Sequence, residues 1–363
     1  MNKTSITEII SQFRLQNPVA EPKPLKVGLI NDSYIIPAAE AGEESYFLQR
    51  INHHIFTNVD GLQRNIQIVT DHIRQKLLAQ GIHDVDNRVL RLIPTHDGGL
   101  YYKTAEGDYW RVYHFISAGH SAERVTPESA YLAGVAFGQF QNQLADLRHD
   151  ALCESIPNFH NIEFRLRQLK EAVSADAAGR LADSKDILAE LERRAEDMCL
   201  AERLFREGKL PKRINHCDTK VNNMLFDDEG KPLCIVDLDT VMPGFVFSDF
   251  GDFMRTAANT AAEDEKNLDN IHVDMQVFEA YTKGYLQEAR FLTPQEKELL
   301  PYGCRLLSYM QTVRFFTDWL NGDVYYKIQY AEHNLVRTRA QLRLLEEQER
   351  VARRMTDTVM SVG

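Results

Sequence analysis

The chain has 363 residues, room for two domains or for one large fold with two lobes. Hydrophobic residues make up 44% and charged residues 26%, an ordinary globular balance, and no apolar run approaches the ~20 residues that span a bilayer. The formal net charge of −11 excludes nucleic acid and anionic membrane as partners, since both need a basic face, yet leaves room for a nucleotide held in a local cationic pocket.

The opening residues, MNKTSITEIISQF, show no signal-peptide apolar core and read as the start of a short amphipathic helix. Five scattered cysteines (Cys153, Cys199, Cys217, Cys234, Cys304) show no CxxC or zinc spacing, which points to reduced thiols and a cytoplasmic setting. Residues 27–36 place Gly28 and small polar residues between strand-like runs. Such a turn can aim backbone N–H groups at a phosphate, or simply reverse a strand.

Residues 45–51 alternate like a strand. Residues 57–80 then set Val59, Leu62, Ile66, Val69, Ile73 and Leu77 at helical spacing, with Gly81 as a stop. Residues 99–116, with a turn at Glu106-Gly107-Asp108, read as a hairpin. Together these predict a small sheet with one helix, and its last strand runs into Tyr113–Ser117. Thr126-Pro127 opens a helix through Leu147, whose Ala133, Gly134, Ala136 and Gly138 suit tight packing on several sides. Residues 161–208 read as two charged amphipathic helices, and residues 274–289, 294–320 and 332–356 as three more.

The densest chemistry lies between, in residues 212–253. His216-Cys217-Asp218-Thr219-Lys220-Val221-Asn222-Asn223 is followed by a polar Gly/Pro turn at 226–232 and by the apolar run Leu233-Cys234-Ile235-Val236 ending in Asp237-Leu238-Asp239. A hairpin there would bring Asp218, Asn223 and Asp237 together. Such a set suits metal-assisted phosphoryl transfer. Asp218 would receive a hydroxyl proton, Asn223 and Asp237 would hold Mg2+ against ATP phosphates, and Lys220 would cover charge on the transferring group. A His-x-Asp-x4-Asn triple arises by chance in roughly one chain in a hundred of this length.

These residues resemble the catalytic and metal-binding loops of the protein-kinase-like fold, and most closely those of the aminoglycoside, choline and homoserine small-molecule kinases. HCDTKVNNML, IVDLDTVMPG, SDFGDFMR, AEDEKNL, GDVYY and AEHNLVRTR are further similar to the N-acetylhexosamine 1-kinases of that superfamily, over a span from about Gly28 to the last helix. The resemblance implies an α+β, bilobal protein-kinase-like fold. A small antiparallel β-sheet N-lobe with one helix would occupy residues 1–117, hinge included. A large, mainly α-helical C-lobe would occupy residues 118–363 and carry the catalytic loop, metal site and sugar site.

The resemblance also distributes roles. Gly28, Asn31, Ser33, Gln49, Tyr113, Phe115 and Ile116 would bind ATP. Asp218, Arg314, Tyr325 and Arg255 would meet the sugar, with Asn31 a further contact. Asp249 of Ser248-Asp-Phe-Gly would hydrogen-bond the catalytic loop, since Asp237 already occupies the metal position, and Asp239 is a second candidate ligand. His216 and His333 would be structural. One departure stands out: the lysine that most relatives carry on the strand at 45–51 is replaced by Gln49, and its usual helix glutamate by Gln67. A neutral Gln cannot neutralise phosphate, so metal and other cations must do so. The expected activity is ATP- and Mg2+-dependent phosphorylation of N-acetylhexosamines at the anomeric hydroxyl, by a monomer or weak homo-oligomer. The alternatives are a kinase of the same fold acting on another small alcohol, or an idle pseudokinase suggested by Gln49.

Overall fold

The computed structural model describes residues 4–25, 30–117, 119–121 and 125–362. The chain forms two compact units, each assembled from separate stretches. The first comprises Met1–Ala122, Asp146–Pro157 and Asn223–Met242; the second comprises Glu123–Ala145, Asn158–Asn222 and Pro243–Gly363.

In the first unit, six antiparallel strands form one sheet: β1 (Lys23–Leu25), β2 (Asp32–Ile36), β3 (Tyr46–Ile51), β4 (Leu92–Ile93), β5 (Tyr102–Lys103) and β6 (Tyr109–His114). The order is β1-β2-β3-β6-β4, with β5 also on β6. Alternation sorts the faces. Tyr46 and Leu48 of β3 and Trp110 and Val112 of β6 pack against Ile9, Ile10 and Phe13 of the N-terminal segment. The intervening residues, Gln49 and Arg111, lie directly opposite one another across the β3–β6 ladder.

The helix Val59–Ala79 buries all six residues of the predicted stripe and stops where Gly81 takes φ +77°. Its polar positions differ from expectation. Gln67 is exposed, and the helix turns Gln63 inward instead, at 1% exposure. Asn65 anchors the helix: its amide donates to the carbonyls of Cys153 (2.7 Å) and Val241 (3.0 Å) and its oxygen accepts the Cys153 N–H (3.0 Å). The predicted hairpin forms from Met224–Phe226 and Pro232–Ile235, with a bulge between Pro232 and Cys234, and His120–Ser121 pairs with its first strand.

The second unit is helical. Pro127–Leu144 starts from a capping box of Thr126 and Ser129 and packs along Met275–Glu288. Val246–Ala257 crosses Leu300–Leu320 at a close backbone approach, where a Cβ on Gly251 would stand 2.2 Å from the Gly303 carbonyl oxygen and one on Gly303 2.2 Å from that of Phe247. Only glycine fits such a contact.

Several predicted helices are divided. Residues 161–208 give Ile162–Ala175, Lys185–Met198 and Leu200–Arg206. The stretch 294–320 breaks at Leu299 into Pro294–Glu298 and Leu300–Leu320, because Pro301 has no N–H to return to the preceding turn. His333–Arg350 and Ala352–Ser361 meet at Val351.

Candidate active site

Within the first unit, the end of the hairpin presents the two expected metal ligands. The Val236 N–H donates to the Asn223 carbonyl (2.9 Å), one step beyond the Met224–Ile235 pair, so Asn223 and Asp237 leave the two strands at the same end. Asp237 is exposed and left-handed, at φ +59°, a conformation that Asp tolerates better than most residues. Asp239, two residues on, is buried and has both oxygens occupied. Oδ1 lies 2.5 Å from Arg111 Nη1, and Oδ2 accepts from Asn31 Nδ2 at 2.7 Å.

Other nucleotide-site candidates gather around that ion pair. Gln49 Oε1 accepts from Arg111 Nε (3.1 Å) and Nη2 (2.7 Å), while its amide donates to Ser33 Oγ (3.1 Å). Asn31 Oδ1 accepts the Asn52 N–H (2.9 Å). Arg111 is 1% exposed, its guanidinium 5.1 Å from the Tyr113 ring centroid. Burial opposes its charge, and Asp239 outweighs that and raises its pKa, with a further contribution from Asp237. Tyr113 is buried, and burial pushes its hydroxyl pKa up. Phe115 is half-buried; Ile116 packs with Leu233, Cys234, Leu90, Leu225 and Val236 in a separate apolar cluster. Gly28 lies outside the described residues.

In the second unit the catalytic loop is fastened to one helix. Asp249 accepts the N–H groups of His216 and Cys217, both at 2.8 Å, and the Gln141 amide at 2.9 Å. The Thr219 hydroxyl donates to the Asp249 carbonyl (2.6 Å) and its N–H to Asp252 (3.2 Å). These bonds hold Cys217 at φ +64°. His216 is wholly buried near Phe137 and Phe140, and its Nδ1 accepts the Asp218 N–H at 3.3 Å. Asp249 and His216 therefore have the loop-holding contacts expected of them.

Asp218 is half-buried with Lys220 Nζ 2.8 Å from Oδ1. Partial burial works against the Lys220 charge, but Asp218 and then Asp252 outweigh it and raise its pKa. Arg255 joins Asp252 (3.0 Å) and Glu263 (2.7 Å). Burial opposes the Asp252 charge as well; Arg255 and Lys220 hold its carboxyl below the usual range. His160 feels the fields of Asp252, Arg314, Arg165 and Asp218, and burial pushes its pKa down to about 4, leaving a neutral imidazole. Its Nδ1 is buried without a partner among the described residues.

Arg314 Nη1 donates to Gln311 Oε1 (3.1 Å), and its guanidinium lies 5.3 Å from the Phe159 ring and 5.6 Å from the Tyr326 ring. Asp318, one turn on, is buried and accepts three consecutive N–H groups, those of Val324 (3.0 Å), Tyr325 (2.8 Å) and Tyr326 (3.0 Å). It thereby holds out a shelf on which Tyr325 is 64% exposed.

A family model described as the phosphotransferase enzyme family, APH, matches residues 21–292, well over half of the chain. The chain belongs to this family. Solved structures share the fold at low identity. An aminoglycoside phosphotransferase from Alicyclobacillus acidocaldarius is 12% identical, with 99% of this chain and 98% of that one covered and a TM-score of 0.64. An amicoumacin kinase in complex with AMP-PNP and Ca2+ is 12% identical over 94% and 92%, TM-score 0.60. A microcompartment-associated aminopropanol kinase is 14% identical over 96% and 97%, TM-score 0.55.

For this phosphotransferase, the donor chemistry around Asn223 and Asp237 fits a hard divalent cation. One carboxamide oxygen and one carboxylate suit Mg2+, which keeps phosphate and water in its remaining positions. Asp239 is engaged by Arg111 through one oxygen and by Asn31 through the other. The phosphotransferase also carries three polar residues that the sequence reading passed over: Arg111, His160 and Arg165. Arg165 donates to Gln168 Oε1 (2.9 Å) and the Phe159 carbonyl (3.0 Å); burial and the neighbouring Arg314 lower its pKa to about 10. Alternation on residues 109–116 would have put Arg111 on the face opposite Trp110 and Val112, but nothing in the sequence sets its register against Gln49.

Proposed function

We propose that this phosphotransferase is an ATP-dependent kinase that phosphorylates the anomeric hydroxyl of N-acetylhexosamines. Asp218 accepts the hydroxyl proton as the oxygen attacks the γ-phosphorus, and ADP leaves. Lys220 keeps the Asp218 carboxylate placed and screens the phosphoryl oxygens. Mg2+, held by Asn223 and Asp237, would neutralise charge on the leaving diphosphate. Asn31, Ser33, Gln49, Tyr113, Phe115, Ile116 and Gly28 serve the nucleotide, while Arg314, Tyr325 and Arg255 serve the sugar. Positioning and electrostatics supply most of the acceleration.

The observation that carries the substrate class is the charge around Asp218. Four carboxylates (Asp218, Asp249, Asp252, Glu263) share that neighbourhood with four cations (Lys220, Arg255, Arg165, Arg314) and a neutral His160. Among the described residues, Arg165 bonds Gln168 and the Phe159 carbonyl and Arg314 bonds Gln311, all neutral partners. A cationic amino alcohol would find no surplus of negative charge there to hold it. A neutral acceptor dense in hydroxyl and amide oxygens matches the arginine and tyrosine donors. The runner-up is a kinase for another small alcohol, since relatives of this fold include an aminopropanol kinase.

Coupled ADP release with N-acetylglucosamine, N-acetylgalactosamine, glucosamine, choline and ethanolamine tests the reading. The expected result is turnover with the N-acetylated sugars and a product phosphate lost in mild acid, as a glycosyl 1-phosphate is. Turnover confined to the amino alcohols would overturn it.

A further inference from the structure

We infer that Arg111 is the cation of this nucleotide site, supplied from β6 in place of a lysine on β3, and that it acts as a positioning residue for the metal ligand Asp237. The inference rests on the phosphotransferase reading above. Gln49 and Arg111 are directly paired across neighbouring strands, so their side chains share one face. A guanidinium at 1% exposure is tolerated only if its N–H groups are matched. Here Gln49 Oε1 accepts from Nε and Nη2, and Asp239 Oδ1 faces Nη1 as its ion-pair partner.

A lysine at position 49 would set a second cation against Arg111. Glutamine gives it an acceptor instead, and Ser33 fixes that glutamine's amide. Gln49 is thus the residue that a buried arginine on the next strand requires. The chain of contacts continues beyond the pair. Asp239 also holds Asn31, and Asn31 holds the Asn52 backbone. A single run of polar contacts from Ser33 through Gln49, Arg111 and Asp239 to Asn31 therefore ties β2, β3 and β6 to the segment that bears Asp237.

Two consequences follow for the metal. Asp239 is committed to Arg111 through one oxygen and to Asn31 through the other, which fixes the segment that bears Asp237. The left-handed turn at Asp237 is pinned two residues downstream by an ion pair rather than by a flexible side chain. Arg111 always carries its charge and binds through a planar fork, so this pinning is rigid in a way a lysine could not reproduce.

The test uses the full chain, Mn2+ as a paramagnetic probe and a non-hydrolysable ATP analogue, with Mn2+ affinity read by electron paramagnetic resonance and folding by circular dichroism. Arg111→Gln should weaken Mn2+ binding in the presence of the nucleotide by about tenfold or more, the usual effect of losing an outer-shell partner. The exchanged pair Gln49→Lys with Arg111→Gln should recover part of that loss, since Gln49 already reaches the guanidinium. Arg111→Lys should fall between wild type and Arg111→Gln. Folded Arg111→Gln that binds Mn2+ like wild type, or an exchanged pair no better than Arg111→Gln, overturns the inference. If Arg111→Gln does not fold, the comparison of Arg111→Lys and the exchanged pair with wild type decides: unchanged affinity in Arg111→Lys overturns it. Wild-type protein that binds no Mn2+ with nucleotide would instead sink the nucleotide site itself.

Discussion

Asp249→Asn keeps the size of a wholly buried side chain and asks whether the catalytic loop needs a carboxylate. Two terms oppose. Burial raises the pKa of Asp249 to about 6 from an ordinary 3.8, against the field of His216 and three hydrogen bonds. Removing that buried charge should return about 3 kcal/mol at pH 7. Every partner of the carboxylate is a donor, however: His216 N–H and Gln141 on Oδ2, Cys217 N–H on Oδ1. An amide has one oxygen, so its NH2 must face a donor, at a cost of about 2–3 kcal/mol.

Stability at pH 7 should therefore change by no more than about 1 kcal/mol, while the loop loses an anchor and turnover falls by about 100-fold. The pH dependence separates the terms. The folded pKa lies above the unfolded one, so this group's contribution is fully present below about 3.8 and is lost as pH rises through about 6. From pH 7 to pH 5 the wild type should gain about 1.3 kcal/mol over the variant. Chemical denaturation at both pH values and coupled ADP release measure this. Unchanged turnover, or a stability difference flat in pH, would refute the reasoning.

Asp218→Asn should lower turnover by about 10²–10⁴-fold while nucleotide binding, measured by calorimetry, stays near wild type. His160→Gln should raise KM for the sugar by about tenfold with little change in kcat, since a neutral imidazole offers hydrogen bonds but no charge; equal KM values would remove His160 from the acceptor site. Gly303→Ala should destabilise the fold by about 1–3 kcal/mol, because the new methyl meets the Phe247 carbonyl, and thermal denaturation would register it.

Much of the frame was legible before any coordinates. Apolar spacing located the helix over 59–79 and the strands on either side of it, because those stripes pack into one core. The Gly/Pro turn at 226–232 announced its hairpin, and the order of the motifs marked Asp249 as the residue that bonds the 216–219 loop. Polar contacts between distant strands were not legible. Gln49 and Arg111 are 62 residues apart, and their register depends on the whole sheet rather than on a turn. Gln63 was hidden because apolar periodicity says nothing about a polar side chain that points inward. His160 and Arg165 come near Asp218 and Arg314 through tertiary packing, with no motif to mark them. Proline at 301 was visible, yet its effect as a divider between two helices was read as a continuous run.

Asp318 grips the backbone of Val324, Tyr325 and Tyr326 through their N–H groups and leaves the side chains of the first two in solvent. Almost any amino acid except proline can offer an N–H in that position. The tips of this ledge can thus be exchanged over evolutionary time without loosening its footing.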